Sequence, residues 1–284
     1  MIRVFTDTSA NLPGTLAVSS GLTVLPFHYT IDGQEMTGAD GFDGPAFYDA
    51  MRNGADVSTS MIRPHDFTEA FAAALAAGDD LVYVGMSGGI SGTFQASLTA
   101  LKALQTQYPD RRMEAIDTCA ASLGEGFAVL YAGRLAAAGE PFDSLVKKVR
   151  GSCRAMCQFF TVDDLRYLRR GGRISKVRAV VGSLLSIKPI LCADEDGHIV
   201  LDRKTRGRRS AIELLAEEFD RRVTDRAAPG GIAHADCPED AALLAALLTE
   251  NGLTGNILTV CYEPVTGTHV GPGALALFFY GTRS

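Results

Sequence analysis

The chain has 284 residues, a formal net charge of −6, a pI near 5.4 and 46% hydrophobic residues. That length and apolar content allow one large or two medium domains with a substantial core and exclude global disorder. The acidic balance argues against a nucleic-acid partner, whose phosphates require a basic face. No apolar run approaches the ~20 residues that span a bilayer.

The start, Met1–Asp7, reads as a first strand and not a signal peptide. Leu22–Ile31 is a second strand, apolar enough to be mostly buried, and Asp32–Gly33 makes a turn that opens a hairpin. Pro45–Arg52 and Pro64–Ala77 have helical spacing, the latter with Pro near its start and Gly78 after its end. Leu81–Gly85 is a buried strand, Phe94–Leu101 has the apolar spacing of a helix, and Glu114–Asp117 is a further strand before a helix over Ala121–Ala138. The alternation predicts an α/β fold with a mainly parallel sheet and helices on both faces. Ligands of such sheets sit beyond the carboxyl ends of the strands. Thr6–Ser9, Ser87–Thr93 and Asp117–Thr118 each follow a strand and are expected to share one edge.

Gly139–Glu140–Pro141 marks a break, and the chain is expected to divide into an N-terminal α/β domain, 1–150, and a C-terminal α+β domain, 151–284. Met156–Val162 reads as a strand. Asp163–Asp164 starts a short Arg-rich helix that ends at Arg170–Arg173. Leu184–Leu191 is apolar apart from Ser186, Lys188 and Pro189, and Asp194–Gly197 turns a hairpin with Ile199–Leu201 returning. Ser210–Val223 is an amphipathic helix, and Ile232–Ala235, Pro238–Glu250, Ile257–Tyr262 and Ala274–Tyr280 give strand, helix, strand, strand.

The stretch Gly85–Met86–Ser87–Gly88–Gly89–Ile90–Ser91–Gly92–Thr93 carries the most chemistry. A strand, a Gly/Ser-rich turn and a helix start make a cup of hydroxyls and amides suited to a carboxylate or similar oxyanion. It holds no lysine and is not the G-x-x-x-x-G-K-[ST] nucleotide loop. Gly85–Gly89 also fits G-x-S-x-G, the nucleophile elbow of a serine hydrolase, with His269 downstream and Asp163 and Asp236 between. The plainest reading has Ser91 or Gly88 only capping the helix. The six cysteines, Cys119, Cys153, Cys157, Cys192, Cys237 and Cys261, form no C-x-x-C, and no zinc-like spacing accompanies them. They are expected as reduced, mostly buried thiols in a cytoplasm, with no metal.

Several segments in order along nearly the whole chain resemble the DegV family, whose members bind fatty acids. They are Thr6–Pro13, Thr59–Met61, Ile90–Ser97, Ile116–Thr118 with Ala121–Gly124, Val162–Ser175, Leu184–Leu191 and Gly267–Leu275. The resemblance implies two domains with one long-chain fatty acid buried between them and no other cofactor. It also implies a non-catalytic role in phospholipid metabolism, as the lipid-carrying subunit of a fatty acid kinase. The carrier presents the acyl carboxyl to a separate ATP-dependent kinase subunit, which makes the acyl phosphate. No transmembrane segment is expected, and contact with a membrane surface is expected to be transient.

Residue by residue, the resemblance assigns Ser91 and Thr59 as hydroxyls that bind the carboxylate, with Arg173 and His269 placed near it. Each hydroxyl offers one donor and Arg173 a fixed charge, and His269 is expected to change charge near neutral pH. By themselves Arg173 reads as a loop arginine pairing with Asp163 or Asp164, His269 as a structural histidine and Thr59 as a strand end. Met61–Ile62–Arg63, the Gly88–Gly89 pair and Glu263–Pro264 depart from the family pattern. They leave open whether Arg63 meets the ligand and suggest a looser cup. Two other readings are a serine hydrolase using Ser87 and a lipid or carboxylate binder with no kinase partner, such as a storage or regulatory protein. Arg203–Arg209 is the one dense basic run on an acidic protein. It reads as a solvated face or as a dock for an acidic kinase surface.

Overall fold

The computed structural model describes residues 1–38, 41–174 and 187–283. Ser175 and the run Leu184–Ser186, singled out above, lie outside the described residues.

The first layer is a parallel sheet of β1 (Ile2–Asp7), β2 (Thr23–Leu25), β6 (Asp80–Gly85) and β7 (Met113–Asp117), in the order β2-β1-β6-β7. Strand β1 pairs with β2 on one side and with β6 on the other, from Ile2 opposite Asp80 to Phe5 opposite Tyr83. The order therefore reverses at β1, the switch point where such sheets open a crevice at their carboxyl edge. As expected, the segments after β1, β6 and β7 meet at that edge: Ser87 N–H donates to Ala120 O at 2.8 Å, and Ser122 N–H to Ser9 O at 2.8 Å. One face is covered by α3 (Pro64–Ala76) and α4 (Thr93–Gln107), through Phe67, Phe71, Leu101 and Leu104. The other is covered by α5 (Leu123–Ala137) and α6 (Phe142–Ala155), through Val129, Ala132, Leu145 and Val149.

Leu22–Ile31 is not one strand. It splits at Pro26–Phe27 into β2 and β3 (His28–Ile31), which belong to different sheets. Strand β3 sits between β4 (Gln34–Thr37) and β5 (Val57–Ser60) in a small antiparallel sheet. The hairpin turn holds: Asp32 and Gly33 have φ of 49° and 81°, the paired positive values of a tight two-residue turn.

A second large sheet has the order β10-β9-β8-β13-β11-β12, built from β8 (Met156–Thr161), β9 (Ile187–Ala193), β10 (Ile199–Arg206), β11 (Gly230–His234), β12 (Ile257–Cys261) and β13 (Leu275–Tyr280). All its neighbours run antiparallel except β11 and β12. Helices α8 (Arg208–Arg222) and α9 (Pro238–Glu250) cover one face through Ile212, Leu215, Phe219 and Leu244. The mixed α/β class and the two-part arrangement are as expected. Helix α6 runs through residue 150 and packs its apolar side chains on the parallel sheet, and the chain enters the second sheet at Met156.

Helix α5 joins the two parts. It is mostly apolar and buried because it is covered twice, by the parallel sheet through Val129 and Ala132 and by the second sheet through Leu123 and Phe127. Gly126 lets it approach the turn after β1, where a Cβ would stand 2.6 Å from Ala10 O. Two further helices near the seam are α2 (Gly44–Arg52) and α10 (Pro264–Val270), and α1 (Gly14–Ser19) and α7 (Arg166–Arg170) complete the set. Among the described residues no helix is long and apolar enough to cross a membrane.

Candidate functional site

The cup after β6 is closed more tightly than its sequence suggests. Gly88 N–H donates to Asp117 Oδ2 at 3.0 Å, Gly89 N–H to Ser87 Oγ at 3.1 Å, and the amides of Ile90 and Ser91 to Ser87 O. Three of these amides are spent on Ser87 and one on Asp117, so they are not free to meet an anion. The Gly88–Gly89 pair does not loosen the cup. A Cβ on Gly89 would stand 2.6 Å from Asp196 O, so the glycine admits the β9–β10 turn. Ser91 Oγ accepts Thr93 N–H at 3.3 Å and donates to Thr93 Oγ1 at 3.0 Å, which makes it a helix cap as well as a lining residue.

Ser87 is fully buried and donates to Gly197 O at 3.0 Å. Its proton is held by a carbonyl, and His269 is bonded elsewhere, so the Ser87–His269 pair of a hydrolase is not formed. Asp163 pairs with Lys188 and Arg208, and Asp236 with Arg52. The G-x-S-x-G turn is a latch between the two parts of the fold.

The other predicted residues converge. Thr59 at the end of β5 hydrogen-bonds His269 of α10, Oγ1 to Nε2 at 2.8 Å. Arg173, after α7, donates from Nε to Ile90 O at 2.9 Å and from Nη1 to Gly171 O. It does not pair with Asp163 or Asp164. Thr59, Ser91, Arg173 and His269 all line one cavity of about 220 Å³. Gly171 lacks the Cβ that would strike the His269 ring. Arg63 is exposed, clamped to Asp66 at 2.9–3.0 Å in the first turn of α3, and lies outside the cavity lining.

Electrostatics correct one expectation. Burial, and then the charges of Arg173 and Arg170, push His269 down to about 4, so it is neutral at neutral pH and does not switch there. Burial also lowers Arg173, but a guanidinium stays charged. Among the described residues, the cavity therefore offers one fixed positive charge beside neutral hydroxyl and imidazole groups.

Two further spaces adjoin it. A mouth of about 270 Å³ shares Ile90, Ser91, Gly92, Arg173 and Ile199 with it. A narrow apolar cavity of about 70 Å³ shares Ile90, Ile199, Thr266 and Val270, and reaches Phe160 and Phe278 of the second sheet. Ile199 and Thr266 carry no motif signal, because only the folding of β10 and α10 onto the cup brings them there.

A family comparison agrees with this geometry. The chain matches, over residues 1–282, the family described as "Uncharacterised protein, DegV family". The chain belongs to the DegV family. A DegV domain-containing protein of Clostridium perfringens is 36% identical over 98% of this chain and 97% of its own length. Among solved structures, a DegV family protein from Thermus thermophilus, described as fatty-acid-binding, superposes with a TM-score of 0.90 at 27% identity, covering 99% of each chain. The fatty acid binding DegV family protein of Streptococcus agalactiae gives 0.89 at 28% identity, covering 100% of this chain and 99% of that one.

Of the segments that the DegV resemblance picked out from sequence, Thr59–Met61, Ile90–Ser97, Val162–Arg173 and Gly267–Leu275 each contribute residues to the wall of the cavity. The buried carboxyls were missed. Glu263 caps α10 by accepting the amides of Val265 and Thr266 at 2.6 Å each, and burial drives it up to about 7. The pair Glu263–Pro264 was the available signal, an acidic cap before a first-turn proline. Asp7 and Glu125, joined through Ser9, are also raised by burial. Among the described residues, Asp194, Asp196 and His198 have the spacing of metal ligands, but Asp194 Oδ1 already accepts the amides of the other two. All six cysteines are free.

Proposed function

We propose that this protein binds a long-chain fatty acid and presents its carboxylate to a separate kinase subunit, without itself catalysing the transfer. The observation that carries the reading is the convergence of Thr59, Ser91, Arg173 and His269 on one cavity that continues into an apolar slot. A carboxylate leaving water needs several donors and a countercharge. Here the Arg173 guanidinium supplies the countercharge, and Ser91 and the hydrogen-bonded Thr59–His269 pair line the same space and would re-pair toward a bound carboxylate. The acyl chain would run inward between the parallel sheet and the second sheet. Burying about fifteen methylenes is worth roughly 12 kcal/mol gross at ~0.8 kcal/mol each, less the cost of ordering the chain. The division into 1–150 and 151–284 belongs to the same reading, with the ligand at the seam. So does a cytoplasmic location, where thiols stay reduced.

Mass spectrometry of the purified protein tests it, native and then denatured with organic extraction. Near-stoichiometric release of a fatty acid is expected. An empty protein that takes up no added fatty acid overturns the reading. Adding the kinase subunit and ATP should yield acyl phosphate, and its absence from a loaded protein leaves a binder with no kinase role.

The basic run is more committed than its sequence suggests. Arg203 to Arg206 lie in β10, Arg203 pairs with buried Glu218, and Arg208 bridges Asp240 and Asp163. Charge reversal at Arg208 would therefore disturb the fold. Arg206 is exposed, and Arg209 holds only the surface partner Glu213. The double variant Arg206→Glu, Arg209→Glu should weaken kinase association several-fold, measured by surface plasmon resonance, with lipid content unaltered. Unaltered association removes this face from the docking surface.

A further inference from the structure

Two hydroxyls in the inner apolar cavity have nothing to bond. Ser122 Oγ and Thr266 Oγ1 are buried without a hydrogen-bond partner, and both residues line the 70 Å³ space between the sheets. They come from separate elements, the turn before α5 and the first turn of α10.

In each case the usual local partner is declined. A serine at a helix start ordinarily turns its oxygen to a first-turn amide. Ser122 precedes α5 and makes no such bond. Its backbone is held at φ 53°, ψ −139°, a conformation that L-residues rarely adopt. Cys119, which also lines the cavity, has φ 50°. The turn is pinned on both sides: Ser122 N–H donates to Ser9 O at 2.8 Å, and Gln158 Nε2 to Cys119 O at 2.6 Å. Thr266 differs in the same way from Thr268, its neighbour in α10. Thr268 donates to Pro264 O, four residues back, at 2.6 Å. The carbonyl four residues before Thr266, that of Tyr262, is taken by the Tyr48 hydroxyl at 2.9 Å.

A plain hydrocarbon chain would seal both hydroxyls away from water unpaired, and each buried unpaired polar group is costly. An oxygen on the chain would pair them. We propose that the inner cavity reads an oxygen function on the acyl chain, so that this protein prefers a hydroxy or oxo fatty acid over the unsubstituted one. The inference rests on the fatty-acid reading above and adds its substrate class.

Calorimetry on the delipidated full chain tests it. The ligands are stearic acid and a panel of hydroxystearic and oxostearic acids with the oxygen at successive positions. At least one isomer should bind roughly 10-fold more tightly than stearic acid, the scale of one or two satisfied buried hydrogen bonds. Thr266→Val keeps the shape and removes a hydroxyl, and should erase most of that preference. Adding Ser122→Ala should invert it in favour of stearic acid. Thr266→Val carries the test alone if the strained Ser122 position does not tolerate alanine. Stearic acid binding as well as every oxygenated isomer overturns the inference and leaves the fatty-acid reading standing. Binding of none of them overturns both.

Discussion

Replacing Arg173 with alanine should weaken fatty-acid binding by roughly 100-fold or more, the usual scale for removing one partner of a desolvated charge pair. The size follows from the charge state of the cavity. His269 is neutral, Thr59 and Ser91 are hydroxyls, and Arg173 is the cation among the described residues that line the space. Near a protein surface two unit charges at 4 Å interact by about 4 kcal/mol. Lysine should recover only part of the loss. The guanidinium is braced by its bonds to Ile90 O and Gly171 O, which a flexible ammonium cannot copy while facing a ligand. Calorimetric Kd values for one saturated fatty acid measure the effect, and melting of the delipidated variant separates lost binding from lost fold. Binding within about threefold of the parent protein would mean that the carboxylate does not meet Arg173.

Stability against pH should divide two groups of α10 that cancel in the intact protein. Glu263 is raised from 4.5 to about 7, so between those values the folded state holds a proton that the unfolded state releases. Its contribution to stability falls as pH rises through that window. His269 is lowered from 6.5 to about 4, so between those values the unfolded state holds the extra proton, and its contribution rises with pH. Each shift is worth about 3 kcal/mol at 1.36 kcal/mol per pKa unit. Glu263→Gln should therefore gain stability relative to the parent as pH goes from 4.5 to 7. His269→Gln should lose it from 4 to 6.5. Asp7 and Glu125, raised by burial, act in the direction of Glu263 and are common to both comparisons. Melting of the delipidated proteins should show the two difference curves crossing with opposite slopes, on the order of 5–10 °C each. Parallel curves would mean that neither group is held in the stated protonation state.

The elements with local punctuation were legible in the sequence. Pro238–Glu250 is a helix to the residue, Pro64 and Gly78 bracket α3, and Asp32–Gly33 turns its hairpin. Each is decided by backbone preferences that act within a few residues. The four candidate site residues, Thr59, Ser91, Arg173 and His269, were legible only through the family resemblance, since each by itself reads as a cap, a strand end, a loop arginine or a structural histidine. The split of Leu22–Ile31 was not legible. Thr23–Leu25 and His28–Ile31 are alike in composition, and only their partners, β1 for one and β4 and β5 for the other, assign them to different sheets.

The sequence alone determined the punctuated elements and their order, since these depend on side-chain type and near-neighbour spacing, and its resemblance to the family supplied the donors that a carboxylate would need. Tertiary structure decided which groups are charged, spent or free. It neutralised His269 by burial and closed the amides of the cup on Ser87 and Asp117. It tied Arg208 to Asp163 and Asp240, and left Ser122 and Thr266 facing an apolar slot. Desolvation and hydrogen-bond pairing depend on what residues distant in the chain bring against a group, and that is fixed only when the sheets and α10 close around the cavity.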